Sequence, residues 1–134
     1  MIKDFTKWHK KKSEIDEIVK RPFFHEREIW LCALGINVGF EQDGVGGDFL
    51  RPVIIFRKFN NEVCWVIPLS KSNKKITKKI DKYYFTFSFI RGIKSLAILS
   101  QLRIIDGRRL NNLIGEMTQR DYDLLIKKLK GLFP

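Results

Sequence analysis

Three polar side chains stand beside the ends of apolar runs in this sequence, and their types suit work on a phosphodiester. Arg51 precedes Pro52-Val53-Ile54-Ile55-Phe56, Ser70 follows the run Glu62 to Leu69, and Glu41 lies in a stretch crowded with glycine. Cleaving RNA without a metal needs a base for the 2′-hydroxyl proton, positive charge for the developing phosphorane, and donors that assist the leaving 5′-oxygen. A carboxylate or histidine, an arginine and one or two hydroxyl or amide groups meet those needs. An arginine at a loop-to-strand junction also sits where sites are commonly built, because a rigid strand fixes what the loop exposes. Each residue has a plainer role open to it. Arg51 could pin the loop through Asp48 or Glu41, Ser70 could end a strand, and Glu41 could be a solvated loop acid.

Charge points the same way. The chain carries 26 Lys and Arg against 15 Asp and Glu, a net +11, so polyanions are its natural partners, by a salt-sensitive release of counterions. Hydrophobic residues at 44%, with eleven Phe and three Trp, exclude a disordered polymer. Cys32 and Cys64 lie far apart in apolar runs without a C-x-x-C spacing or a nearby histidine, so we expect two buried reduced thiols and no metal or other cofactor. His9 and His25 read as surface or packing residues. The N-terminus lacks a continuous apolar segment and no later stretch is long and uncharged enough to span a bilayer, so we expect a cytoplasmic protein without membrane contact.

These residues need elements to hold them, and 134 residues suffice for one domain with one core. From Asp4 to Lys20 the residues Phe5, Trp8, Ile15, Ile18 and Val19 fall at helical spacing, which predicts a helix ending before Pro22. Glu28 to Leu34 reads as a buried strand. Gly35 to Leu50 reads as a mobile polar loop, with glycines at 35, 39, 44, 46 and 47. Pro52 to Phe56 and Glu62 to Leu69 are strands around an Asn60-Asn61 turn, and Ser70 to Lys82, with six lysines, is a solvated loop. Tyr83 to Phe89, Ser95 to Leu99, Leu102 to Asp106 and Leu113 to Met117 continue the β structure. Thr118 heads a final helix with a stripe of Tyr122, Leu125, Ile126 and Leu129. Such a series predicts a mostly β fold with some α, a small bent sheet or barrel.

Ordered motifs carry a resemblance. Glu28-Ile29-Trp30, Gly39-Phe40-Glu41-Gln42-Asp43-Gly44, Arg51-Pro52-Val53-Ile54-Ile55 and Val66-Ile67-Pro68-Leu69-Ser70 occur in sequence, followed by Gln101-Leu102-Arg103-Ile104-Ile105-Asp106 through Leu110. This series resembles the MazF/PemK toxins of type II toxin–antitoxin systems, whose pattern runs E-I-W, G-x-E-Q-x-G, R-P-V-L-I, V-x-P-L-[S/T] and Q-x-R-x-[I/L]-D-x-x-R-L. The likeness implies an SH3-like small β-barrel with a C-terminal helix over residues 26–133, preceded here by an N-terminal helical extension over residues 1–22. It also implies a homodimeric, metal-independent endoribonuclease that cuts single-stranded messenger RNA in the bacterial cytoplasm and is neutralised by a cognate acidic antitoxin. By motif position Arg51 would be the catalytic arginine, gripping the phosphate through two hydrogen bonds. Ser70 would be the catalytic hydroxyl, and Glu41 the acceptor of the 2′-hydroxyl proton. Gln42, Phe40, Lys71, Gln101 and Arg103 would contact the RNA, although Arg103 could instead pair with Asp106. The chain departs from some relatives at Phe40, where they carry histidine, and at Ile98 and Ser100, where they carry arginine and aspartate. A DNA gyrase poison on the same barrel and a relative that binds nucleic acid without cutting it are the alternatives.

Overall fold

The structure, a computed structural model, describes residues 2–71 and 76–134. Helix α1 (Phe5–Asp16) begins at Asp4, whose carboxylate accepts the Lys7 N–H at 2.9 Å and so satisfies one of the donors that a helix start leaves free. It ends four residues before the expected Lys20. Val19 is 95% exposed and only Trp8 of the expected stripe is buried, because the helix lies on the surface and docks through one ring. Beyond the helix, Arg21 reaches Asp106 with two hydrogen bonds of 3.0 and 2.8 Å.

Seven strands follow among the described residues: β1 (Glu28–Ala33), β2 (Leu50–Lys58), β3 (Val63–Lys71), β4 (Tyr84–Ile90), β5 (Ile93–Ile98), β6 (Arg103–Asp106) and β7 (Leu110–Glu116). Helix α2 (Gln119–Lys130) closes the chain, with the Thr118 hydroxyl accepting the Asp121 N–H at 3.1 Å. The expected solvated loop from Ser70 to Lys82 is corrected at both ends. β3 continues through Ser70 and Lys71, which pair with Leu96 and Ser95 of β5, and a 3-10 turn spans Asp81–Tyr83. Residues 72–75, within that expected loop, lie outside the described residues.

All the pairings are antiparallel, and the strand path runs β4-β5-β3-β2-β1-β7, with β6 also on β3. One edge of β3 holds β2; the other holds β6 along Val63 to Val66 and β5 along Leu69 to Lys71. The change of partner falls at Ile67 and Pro68, and proline has no N–H to give to a ladder. The expected barrel is not closed. β4 and β7 end the strand path without pairing among the described residues, and the Phe89 ring of β4 instead lies against Gly115 of β7, where a Cβ would come within 2.5 Å of it.

The central strands bury both faces. Ile29, Ile54, Ile67 and Leu69 pack with Tyr122, Leu125 and Leu129 of α2, while Trp30, Cys32, Val53, Ile55, Cys64 and Val66 form a second cluster with Phe24 and Leu110. Burial on two sides explains why Pro52 to Phe56 reads as a continuous apolar run rather than an alternating one. Cys32 and Cys64 are free thiols in this second cluster, and burial pushes each up to about 12. No helix among the described residues is long and apolar enough to cross a membrane.

Candidate functional site

The loop between β1 and β2 is polar, as expected, but far more tied down than its glycines suggest. The Gly44 N–H donates to Gly35 O at 2.7 Å, and Val45 bridges to Leu50. Asn37 donates its amide N–H to Asp43 Oδ1 at 2.6 Å and its side chain to Gln42 O at 2.8 Å. Gly35 has φ +75°, a backbone that L side chains rarely adopt, and the Trp8 ring occupies the space where a Cβ would stand. The loop is fixed by such bonds, which sequence composition does not display.

Arg51, the second residue of β2, reaches back under this loop. Its Nε donates to the Asp43 carbonyl and its Nη1 to Leu69 O at 3.2 Å. The plainer alternative, a pairing with Asp48 or Glu41, does not form: Asp48 pairs with Lys11 at 3.2 Å, and Glu41 Oε1 accepts the Val38 N–H at 2.8 Å. Burial lowers the Arg51 pKa and the Asp43 carboxylate opposes that, but a guanidinium stays charged in a protein. Arg51 therefore presents a cation with no ion-pair partner among the described residues.

Arg51 lines one of two grooves that meet the consecutive residues Pro68 and Leu69. Arg51, Ser70, Lys71 and Ser95 line the first, of about 530 Å³, against apolar walls that include Leu50, Phe89 and Ile93. Glu41, Gln42, Gln101 and Arg103 line the second, of about 410 Å³, together with Asn37, Pro68 and Ser100. The Gln42 N–H donates to Gln101 Oε1 at 3.4 Å, tying loop to groove wall. The three side chains expected to act together are thus divided: Arg51 and Ser70 share a groove, and Glu41 lines its neighbour. Among the described residues the Arg51 groove has no acid or histidine on its walls. Phe40 is 99% exposed and lines neither groove.

Asp106 does not pair with Arg103. Arg21 and Arg108 both hold it, at 2.8 and 3.0 Å, and these bonds outweigh the effect of burial, keeping its carboxyl well below the usual carboxylate range. His25 sits 3.5 Å from Glu28, and His9 lines a cleft beside α1, both away from the two grooves. Asp43 and Ser95 were not singled out from the sequence. Asp43 had a signal, its place beside Gln42 in the glycine-rich motif, whereas nothing local marks Ser95.

Residues 25–133 match a sequence profile described as PemK-like, MazF-like toxin of type II toxin–antitoxin system. The chain belongs to the PemK/MazF toxin family. No curated protein sequence matched it. The Mycobacterium tuberculosis toxin MazF-mt6 superposes with a TM-score of 0.57 at 14% identity, over 78% of this chain and 94% of that one. An endoribonuclease in complex with its cognate antitoxin, from a mycobacterial species, gives 0.55 at 14% identity over 84% and 100% of the two chains. MazF from Deinococcus radiodurans gives 0.59 at 16% identity over 84% and 96%. At such identities these likenesses concern the PemK/MazF fold alone. Helix α1 lies outside the matched region.

Proposed function

We propose that this PemK/MazF family member is the toxin of a type II toxin–antitoxin pair, a metal-independent endoribonuclease acting on single-stranded messenger RNA. The observation that carries the reading is a guanidinium without an ion pair among the described residues, lining one groove with a strand-borne hydroxyl, Arg51 with Ser70. A planar guanidinium gripped by two protein carbonyls is pre-oriented, so little freedom is lost when it takes a phosphate oxygen. Arg51 would stabilise the phosphorane and Ser70 would donate to it. The 2′-oxygen bonds to phosphorus as the bond to the 5′-oxygen breaks, leaving a 2′,3′-cyclic phosphate and a 5′-hydroxyl that takes up the proton. Glu41 would accept the 2′-hydroxyl proton from the neighbouring groove, with the RNA lying across both. Gln42, Gln101 and Arg103 would meet a base, Phe40 would stack on one, and Lys71 would neutralise backbone charge.

The remaining parts of the reading follow from the family. The bent sheet is a variant of the SH3-like barrel in one domain spanning residues 1–134, with Phe89 on Gly115 standing in for the missing ladder. The protein works in the bacterial cytoplasm as a homodimer, and an acidic antitoxin tail covers the Arg51 groove, drawn by the +11 charge. Cleavage of a panel of single-stranded RNAs in EDTA, with Arg51→Ala as control, tests it; intact RNA with the wild-type protein refutes it. The lack of an acid on the described walls of the Arg51 groove favours one second reading, a family member that binds RNA without cutting it. Retained RNA affinity with no turnover would identify that case.

A further inference from the structure

The segment ahead of the family's shared region grips the loop on which Arg51 rests. Lys3 Nζ stands 3.0 Å from Asp43 Oδ2 and donates to Asn37 O at 2.7 Å and Gly39 O at 3.2 Å. Two of the three N–H donors of its ammonium go to backbone carbonyls, and its charge is paired by Asp43. Lys3 therefore engages the loop through both its donors and its charge. Trp8 adds a second grip, packing on Gly35 and at 5.3 Å from the Phe49 ring, and Lys11 adds a third through Asp48. Asp43 joins these contacts to the candidate site, because its carboxylate takes Lys3 and the Asn37 N–H while its carbonyl takes Arg51 Nε.

We propose that Lys3 is a positioning residue for Arg51: acting through Asp43, the N-terminal segment holds both the guanidinium and the Gln42 side of the loop in the arrangement that faces RNA. This inference rests on the reading of Arg51 as the phosphate-binding group. A chain lacking the segment keeps the same groove residues but lets the Asp43 carbonyl wander, and Arg51 with it.

The test is Lys3→Met in the full chain, which keeps the aliphatic stem and removes the ammonium with its donors and its charge. Hydrogen exchange at the Asn37 and Gly44 amides and at Arg51 Nε–H should quicken about fivefold, the scale of one modest polar tie, with the Ile54 amide unchanged. On single-stranded RNA in EDTA, kcat should fall on the order of tenfold, as misplacement of a catalytic group costs, with KM and the salt dependence of binding unaltered. Lys3→Arg should restore most of the kcat and the slow exchange. Unchanged exchange at Arg51 Nε–H overturns the inference, as does a raised KM at constant kcat, which would make Lys3 an RNA contact. If wild-type protein cuts no RNA, the endoribonuclease reading falls while the exchange data still decide whether Lys3 holds Arg51.

Discussion

Gly35→Ala probes the contact between α1 and the loop, and its cost can be worked out in two parts. The backbone at Gly35 has φ +75°, where an L side chain costs about 1–2 kcal/mol. A Cβ there would stand 2.0 to 2.5 Å from three Trp8 ring carbons, so the indole must leave. Undocking Trp8, which is only 7% exposed, forfeits its packing on Phe49 and Ala33 at a cost of about 3 kcal/mol, the usual scale for a large buried side chain. Gly35→Ala should therefore destabilise by about 4–5 kcal/mol in the wild-type background, but by only about 1–2 kcal/mol once Trp8→Ala has emptied the space. Urea denaturation of the two single variants and the double variant, followed by circular dichroism, measures the cycle. Equal costs for Gly35→Ala in both backgrounds would refute the reasoning, since the ring overlap would then carry no energy.

Three further outcomes are expected. Arg51→Lys keeps the charge but cannot span the Asp43 and Leu69 carbonyls with a planar fork, so kcat/KM on RNA should fall roughly 100- to 1000-fold with little change in unfolding midpoint; near-wild-type turnover would show that only charge matters. Asp106 has a folded-state pKa held below its ordinary 3.8, so the stability it contributes is fully present above that value and is lost as the pH falls through the lower folded pKa. The gap in urea midpoint between wild type and Asp106→Asn should narrow on acidification below that value, and a gap that stays constant to strongly acid pH would contradict the assignment. Cys32 and Cys64, with burial pushing each up to about 12, should resist a thiol reagent in native protein at pH 8 and react promptly in denaturant; fast native labelling would mean the second core opens readily.

Much of the architecture was legible because it rests on local regularities. Apolar runs such as Pro52 to Phe56 announce strands buried on two faces, and Thr118 with Asp121 announces the start of α2. The groove residues were legible only in part. Arg51 and Ser70 both stand out at the borders of such runs, and β2 and β3 bring them to one groove. Glu41 stands out equally, yet the bond from its own Val38 amide and the fold of the loop carry it to the neighbouring groove.

What the sequence by itself determined is therefore the set of strands and helices, the basic charge and the motif series, since propensity, periodicity and residue type act over a few positions. Partner choice belonged to the tertiary structure. Asp106 pairs with Arg21 across 85 positions and with Arg108 but not with Arg103, and Lys3 reaches Gly39 across 36 positions and Asp43 in the same loop. The physical reason is that a polar side chain half-removed from water must take whatever donor or acceptor packing brings within about 3 Å, and packing couples residues that are distant along the chain.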